Sequence, residues 1–104
     1  MKSLFIDTYK WHDNTYGNSY FASVVSIDGQ IAFSLPFQYG YERQDEEEMR
    51  KVLVLAGYLD NSGESFRRQL EKMGCHYYRA TQWVRKSEAE RQGELMPFMV
   101  GQAH

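Results

Sequence analysis

The chain has 104 residues, 42% of them hydrophobic and 25% charged, with a formal net charge of −2. That length fits one domain spanning 1–104, which buries roughly 65% of the unfolded surface in one modest core. The near-neutral balance gives no global electrostatic case for nucleic acid or a membrane surface.

Cysteine and hydropathy narrow the reading further. Cys75 is the only cysteine, so an internal disulfide or a cysteine-based zinc site is excluded and a reducing cytoplasm is expected. The start, MKSLFIDTYKW, lacks the apolar segment of a signal peptide, and no run approaches the roughly 18 apolar residues of a membrane span. Aromatics are the outlier at 15%, with eight Tyr, six Phe and two Trp. They suit both a small β-rich core and a contact surface, because Tyr and Trp join a large apolar body to a polar tip.

Ser3 to Trp11 alternates, with Phe5, Asp7, Tyr9 and Trp11 on one face and Leu4, Ile6 and Thr8 on the other, which predicts a strand. His12 to Asn18 reads as a polar loop. Tyr20 to Ile27 is a second strand, rich in β-branched and aromatic residues. Asp28-Gly29 then predicts a tight hairpin, because a type I′ turn needs positive φ at both central positions. Gln30 to Leu35 is the return strand, and Pro36, lacking an amide donor, is expected to end it.

The segment 36–43, PFQYGYER, lies where strand pattern gives way to helix pattern. Asp45 with Glu48 reads as an N-cap and capping box, and the acidic run 45–48 as a helix start rather than a metal site. Met49, Val52, Leu53 and Ala56 recur at helical spacing, and Gly57 is placed to close the helix. Phe66, Leu70 and Met73 predict a short second helix ended by Gly74. Cys75 to Arg85 is a fourth strand, and Ser87 with Glu90 predicts one or two further helical turns. Leu95, Met96, Phe98 and Met99 in the tail either pack back on the domain or dock on a second copy.

Strands and helices are grouped rather than alternating, so the expected class is α+β. The expected architecture is an antiparallel sheet, a three-stranded N-terminal meander plus the C-terminal strand, covered by the helix at 45–57 with one or two short helices. In a meander the 12–18 loop and the 36–43 segment leave the sheet at the same end.

Four segments carry a likeness to a known group: NTYGNSYF at 14–21, the Asp28-Gly29 hairpin, LPFQYGY at 35–41 and LAGYL at 55–59. Together they resemble small accessory proteins of tailed-phage genomes, which carry a GNTYHS-like strand, a PFxYGYG-like junction and a helix ending in AGY. The likeness covers most of residues 10–60. This chain has Glu42 where that group often has a further glycine, and Phe21-Ala22 where it often has His-Ser. The resemblance implies an accessory protein acting in a bacterial host cytoplasm, with no chemistry to transfer to particular residues.

Catalysis needs a base, its orienter and a nucleophile within mutual reach. Cys75 and His76 are adjacent in a predicted strand and point to opposite faces, and His12-Asp13 lies in a predicted loop, so no enzyme is expected. The three histidines are far apart and no ligand spacing appears, so neither metal nor cofactor is expected.

Binding has more to stand on. Trp11, His12, Tyr16, Tyr39, Tyr41 and Arg43 are the candidate ligand residues, able to stack a base and pair a phosphate if the two irregular segments adjoin. Phe37 and Tyr39 fit better as residues that cap the sheet core and seat the helix, while for Trp11, Tyr16 and Tyr41 the two roles are nearly balanced. Arg67, Arg68, Arg79 and Arg85 are candidate phosphate contacts, although the glutamates among them also fit a mixed solvated face. Three readings stay open: a protein sequestering a nucleotide-type ligand such as a defence signal, an inhibitor docking on a host protein through exposed aromatics, and a weak nucleic-acid binder.

Overall fold

The computed structural model describes residues 1–98. The chain is α+β: four strands, β1 (Ser3–Asp13), β2 (Asn18–Ile27), β3 (Gln30–Tyr39) and β4 (His76–Trp83), and three helices, α1 (Gln44–Leu55), α2 (Phe66–Met73) and α3 (Lys86–Gly93). The strands form one sheet in the order β3-β2-β1-β4. The first three are an antiparallel meander. The fourth corrects the antiparallel expectation, since β4 runs parallel to β1 and the sheet is mixed. β3 ends at the far side of the sheet, and α1 and α2 carry the chain back to the side where β1 begins. β4 therefore starts level with Ser3 and runs the same way as β1.

The Asp28-Gly29 turn has φ of 50° and 83°, positive at both positions as a two-residue hairpin requires. The Asp28 carboxylate also accepts the backbone N–H groups of Lys2 and Ser3 at 2.7 and 3.0 Å. β1 is longer than its alternation predicts, reaching Asp13, whose Oδ1 accepts the Thr15 N–H and starts the turn to β2. β3 also outruns its expected end and continues through Pro36 to Tyr39. Pro36 is tolerated for two reasons. β3 is an edge strand, and Pro36 and Phe37 together stand opposite Ala22 in a bulge, where a missing N–H costs no ladder bond.

The helix boundaries hold two further corrections. Asp45 does not cap α1. Arg43 is the N-cap residue, without a side-chain bond, and Asp45 sits inside the first turn, 2% exposed. Ser87 does not cap α3 either, because its N-cap residue is Arg85. A cap the sequence reading passed over is Ser65, whose Oγ accepts the Arg68 N–H at 3.2 Å. Gly57, at φ 86°, ends α1 as expected, with Tyr58 N–H reaching back to Leu53 O and Gly57 N–H to Val54 O.

The sheet is covered on both faces. Leu4, Ile6, Val25, Phe33 and Leu35 meet Met49 and Leu53 of α1 and Leu70 of α2 in the main core. On the opposite face α3 lies close against β2 and β3. There the residues are small: a side chain at Gly93 would meet Phe37 N at 2.8 Å, and Ala22 Cβ and Leu35 O at 3.1 Å. The tail continues along the outside of β3, where Ser34 N–H donates to Met96 O at 2.7 Å and Ser34 bridges Pro97. Phe98 packs edge-on against Phe33. The tail thus packs back on the domain as far as Phe98, while Met99 and His104 lie outside the described residues.

Candidate functional site

The two irregular segments do adjoin. Tyr20 pairs with Tyr39, Gly40 N–H donates to Ser19 O at 3.2 Å, and the Tyr41 hydroxyl donates to Asn18 Oδ1 at 3.5 Å. Aromatic contacts run through this end of the sheet. Ring centroids are 5.7 Å apart for Trp11–Tyr20, 5.3 Å for Tyr20–Phe37, 5.8 Å for Tyr20–Tyr39 and 5.0 Å for Tyr39–Tyr41.

The expected single pocket is nevertheless divided. Trp11, Tyr20 and Phe37 share the α3 face, half-buried, with the Lys86 ammonium 5.4 Å from the Trp11 ring. Tyr39 is 54% exposed beside them, and Tyr41 turns to the other side of the sheet. Tyr16 stands alone in the β1–β2 turn, 78% exposed. His12 bonds Ser19 Oγ at 3.1 Å. Arg43 is turned to Glu46 at 2.6 Å.

On the α1 side a shallow cleft of about 60 Å³ lies beneath Tyr41. Lys10, Ser19, Gly40 and Glu42 line it, with the buried Thr8 and Asp45 at its floor. Gly40 is required there, because a Cβ would come within 2.6 Å of the Phe21 ring. Trp83 is the register partner of Lys10 and lies on the same face, 66% exposed, its ring 5.7 Å from the Lys10 ammonium.

A buried polar network neutralises the floor. Thr8 Oγ1 donates to Asp45 Oδ2 at 2.6 Å and lies 2.8 Å from Ser23 Oγ. Arg79 of β4 grips Asp45 with both prongs, Nε to Oδ2 and Nη2 to Oδ1, each at 2.9 Å, and Nη2 also reaches Glu42 O at 3.2 Å. Burial pushes the Asp45 carboxyl up, but the bonds from Arg79 and Thr8 outweigh it and hold the group below the usual carboxylate range. Beside it the Tyr77 hydroxyl donates to Glu46 Oε2 at 2.5 Å, and burial first, then Glu46, push that phenol well above its ordinary value.

The candidate phosphate contacts do not converge. Arg67 and Arg68 sit on α2, Arg79 is committed to Asp45, and Arg85 follows β4. Lys10, Ser19 and Trp83 went unselected as ligand residues. Lys10 and Trp83 become neighbours only through the β1–β4 register, which the sequence does not announce. Among the described residues, no three His, Cys, Asp or Glu side chains gather as a metal site, and no helix is long and apolar enough to cross a membrane. In comparisons with known proteins, no family model, curated protein or solved structure matches the chain.

Proposed function

We propose that the chain is a non-enzymatic accessory binding protein, of the phage type its motifs resemble, that takes a nucleotide-type anion in the cleft beneath Tyr41. The observation that carries this reading is the pairing of charge and aromatic surface there. Lys10 lines the cleft together with Tyr41 and stands 5.7 Å from the Trp83 ring outside it, while the buried carboxylate there, Asp45, is already spent on Arg79. A base stacks on the exposed rings and a phosphate meets Lys10 and the Ser19 hydroxyl. At about 60 Å³ the cleft is far below the usual size of a ligand site, so it seats a phosphate and leaves the base on the surface outside it.

Thermal-shift and calorimetric titration with mono-, di- and cyclic nucleotides tests the reading. A true ligand at a hundred times its Kd stabilises the fold by about 2.7 kcal/mol, and Lys10→Gln removes that gain. A clean melt that no nucleotide shifts would sink it.

A second reading, docking on a host protein, draws on the exposure of Tyr16, Tyr39 and Tyr41 around the same end of the sheet. It predicts co-purification of one bacterial protein, lost on Tyr39→Ala or Tyr41→Ala with the nucleotide response unchanged for Tyr39→Ala. Nucleic-acid binding has less support, since the basic residues lie on separate elements.

A further inference from the structure

The outer edge of β4 is an open sheet edge with a defined hydrogen-bonding pattern. His76 N–H donates to Lys2 O at 2.9 Å and Val84 N–H to Lys10 O at 2.8 Å, at either end of an uninterrupted register of eight pairs with β1. In a parallel ladder, alternate residues turn both backbone groups to the same neighbour. His76, Tyr78, Ala80 and Gln82 therefore face β1, and Tyr77, Arg79, Thr81 and Trp83 turn their N–H and C=O groups outward. No strand among the described residues pairs with them.

Natural edges are blunted by proline, lysine, bulges or a covering segment. β4 has no proline, no lysine and no register shift over His76–Trp83. Exposed aromatics flank it as well: Tyr78 at 62%, Phe5 beside it on β1, and Trp83.

We propose that this edge pairs with the β4 of a second copy, antiparallel about a two-fold axis at Ala80, making one continuous eight-stranded sheet. The register follows from the pattern. Centred on Ala80, Arg79 meets Thr81 and Tyr77 meets Trp83 as hydrogen-bonded pairs, so every outward backbone group of those four residues finds a partner. Tyr78 falls opposite Gln82, and the smallest side chain in the strand lies at the axis. Each Trp83 is covered by the second copy's Tyr77 on the cleft face.

Charge selects the occupant. Arg79 is the one Arg or Lys in β4, and Asp45 already neutralises it through two bonds. A charged peptide thus finds nothing to pair with along this edge, whereas a neutral aromatic strand like β4 itself fits. Centring on Arg79 instead would oppose two guanidinium groups, which disfavours that register. The pairing covers the Trp83 ring that the nucleotide reading leaves open for stacking, so the two compete for that ring, but no ligand enters the test of the pairing.

Sedimentation velocity on the full chain at micromolar concentrations is expected to give a species of twice 12.3 kDa. Thr81→Pro deletes an outward N–H that β1 does not use, so it is expected to give a folded monomer with an unchanged far-UV spectrum. Ala80→Lys places two like charges at the axis and is expected to do the same, which keeps the test decisive if the proline variant fails to fold. In the wild type, amides of Tyr77, Arg79, Thr81 and Trp83 are expected to gain hydrogen-exchange protection that Ala80→Lys removes. A monomeric wild type, a dimer that survives Ala80→Lys, or a dimer whose four outward amides exchange freely would each overturn the proposal. So would recruitment of a different protein's strand to an otherwise monomeric chain.

Discussion

The two edges of the sheet are built on opposite principles. At the β3 edge the ladder is broken twice by register shifts, Pro36 removes a donor, and the tail from Met96 to Pro97 lies along Ser34. At the β4 edge the ladder is straight, the backbone groups of alternate residues are unspent, and one buried ion pair, Arg79–Asp45, ties the strand to α1. The β3 edge is closed by local irregularity, which needs no partner. The β4 edge is held in shape by a long-range contact that leaves its outer side free. The candidate cleft lies against that same tether, so β4, the ligand floor and α1 share one set of bonds.

Cutting the tether is expected to have the largest effect. Asp45→Asn leaves Arg79 charged and half-buried without its counter-ion, a loss of about 3 kcal/mol in urea unfolding. The acid limb gives a second readout. Because the folded-state value of Asp45 is lowered, its contribution is complete above the unfolded value near 3.9 and disappears as pH falls from there through the folded value. The Asn variant is expected to show a flatter stability curve below about pH 4. An equal slope in both proteins would mean Asp45 is not the group that matters.

Disturbing the closed edge is expected to cost slightly less. Gly93→Ala places a methyl against the Phe37 and Leu35 backbone, which cannot rotate away, and is expected to lose about 2 kcal/mol while lifting α3 from β2. Ser34→Ala is milder. Ser34 Oγ donates to Gly93 O at 2.9 Å and accepts Met96 N–H at 3.0 Å in a buried position. Its loss is expected to cost about 1–2 kcal/mol and to speed exchange of the Met96 amide. If Ser34→Ala leaves that amide protected, the backbone strap alone closes the edge.

Much of the closed side was readable in the sequence. Local chemistry announces itself: Asp28-Gly29 fixes the hairpin, alternation marks β1, β-branched and aromatic richness marks β2, and Gly57 ends α1. The errors came where a long-range partner overrode a local signal. Asp45 looks like a cap by position, but Arg79, thirty-four residues later, draws it into the interior. Pro36 looks like a stop, but an edge bulge absorbs it. The direction of β4 depends on how far α1 and α2 carry the chain, which no residue in β4 encodes. For the same reason the Lys10–Trp83 neighbourhood was invisible, while the meeting of the 12–18 and 36–43 segments followed from the meander alone.

The turn between the closed edge and the tether supplies the smallest expected effect and joins stability to binding. Glu42 has φ 51°, a left-handed conformation that a side chain with a Cβ adopts at a cost of about 1 kcal/mol. Its carbonyl accepts from Arg79 and its residue lines the cleft, so the strain is held where ligand would sit. Glu42→Gly relieves the steric cost and adds chain entropy to the unfolded state, for a net gain of about 0.5 kcal/mol. It also removes an anion from the cleft rim, which is expected to tighten a nucleotide up to about five-fold at low salt, an advantage that fades as ionic strength rises. Stability and affinity thus move together only if the cleft accepts an anion. A more stable protein with no gain in nucleotide affinity would assign the Glu42 strain to the turn alone and leave the aromatic surface around Tyr39 as the better place to look for the partner.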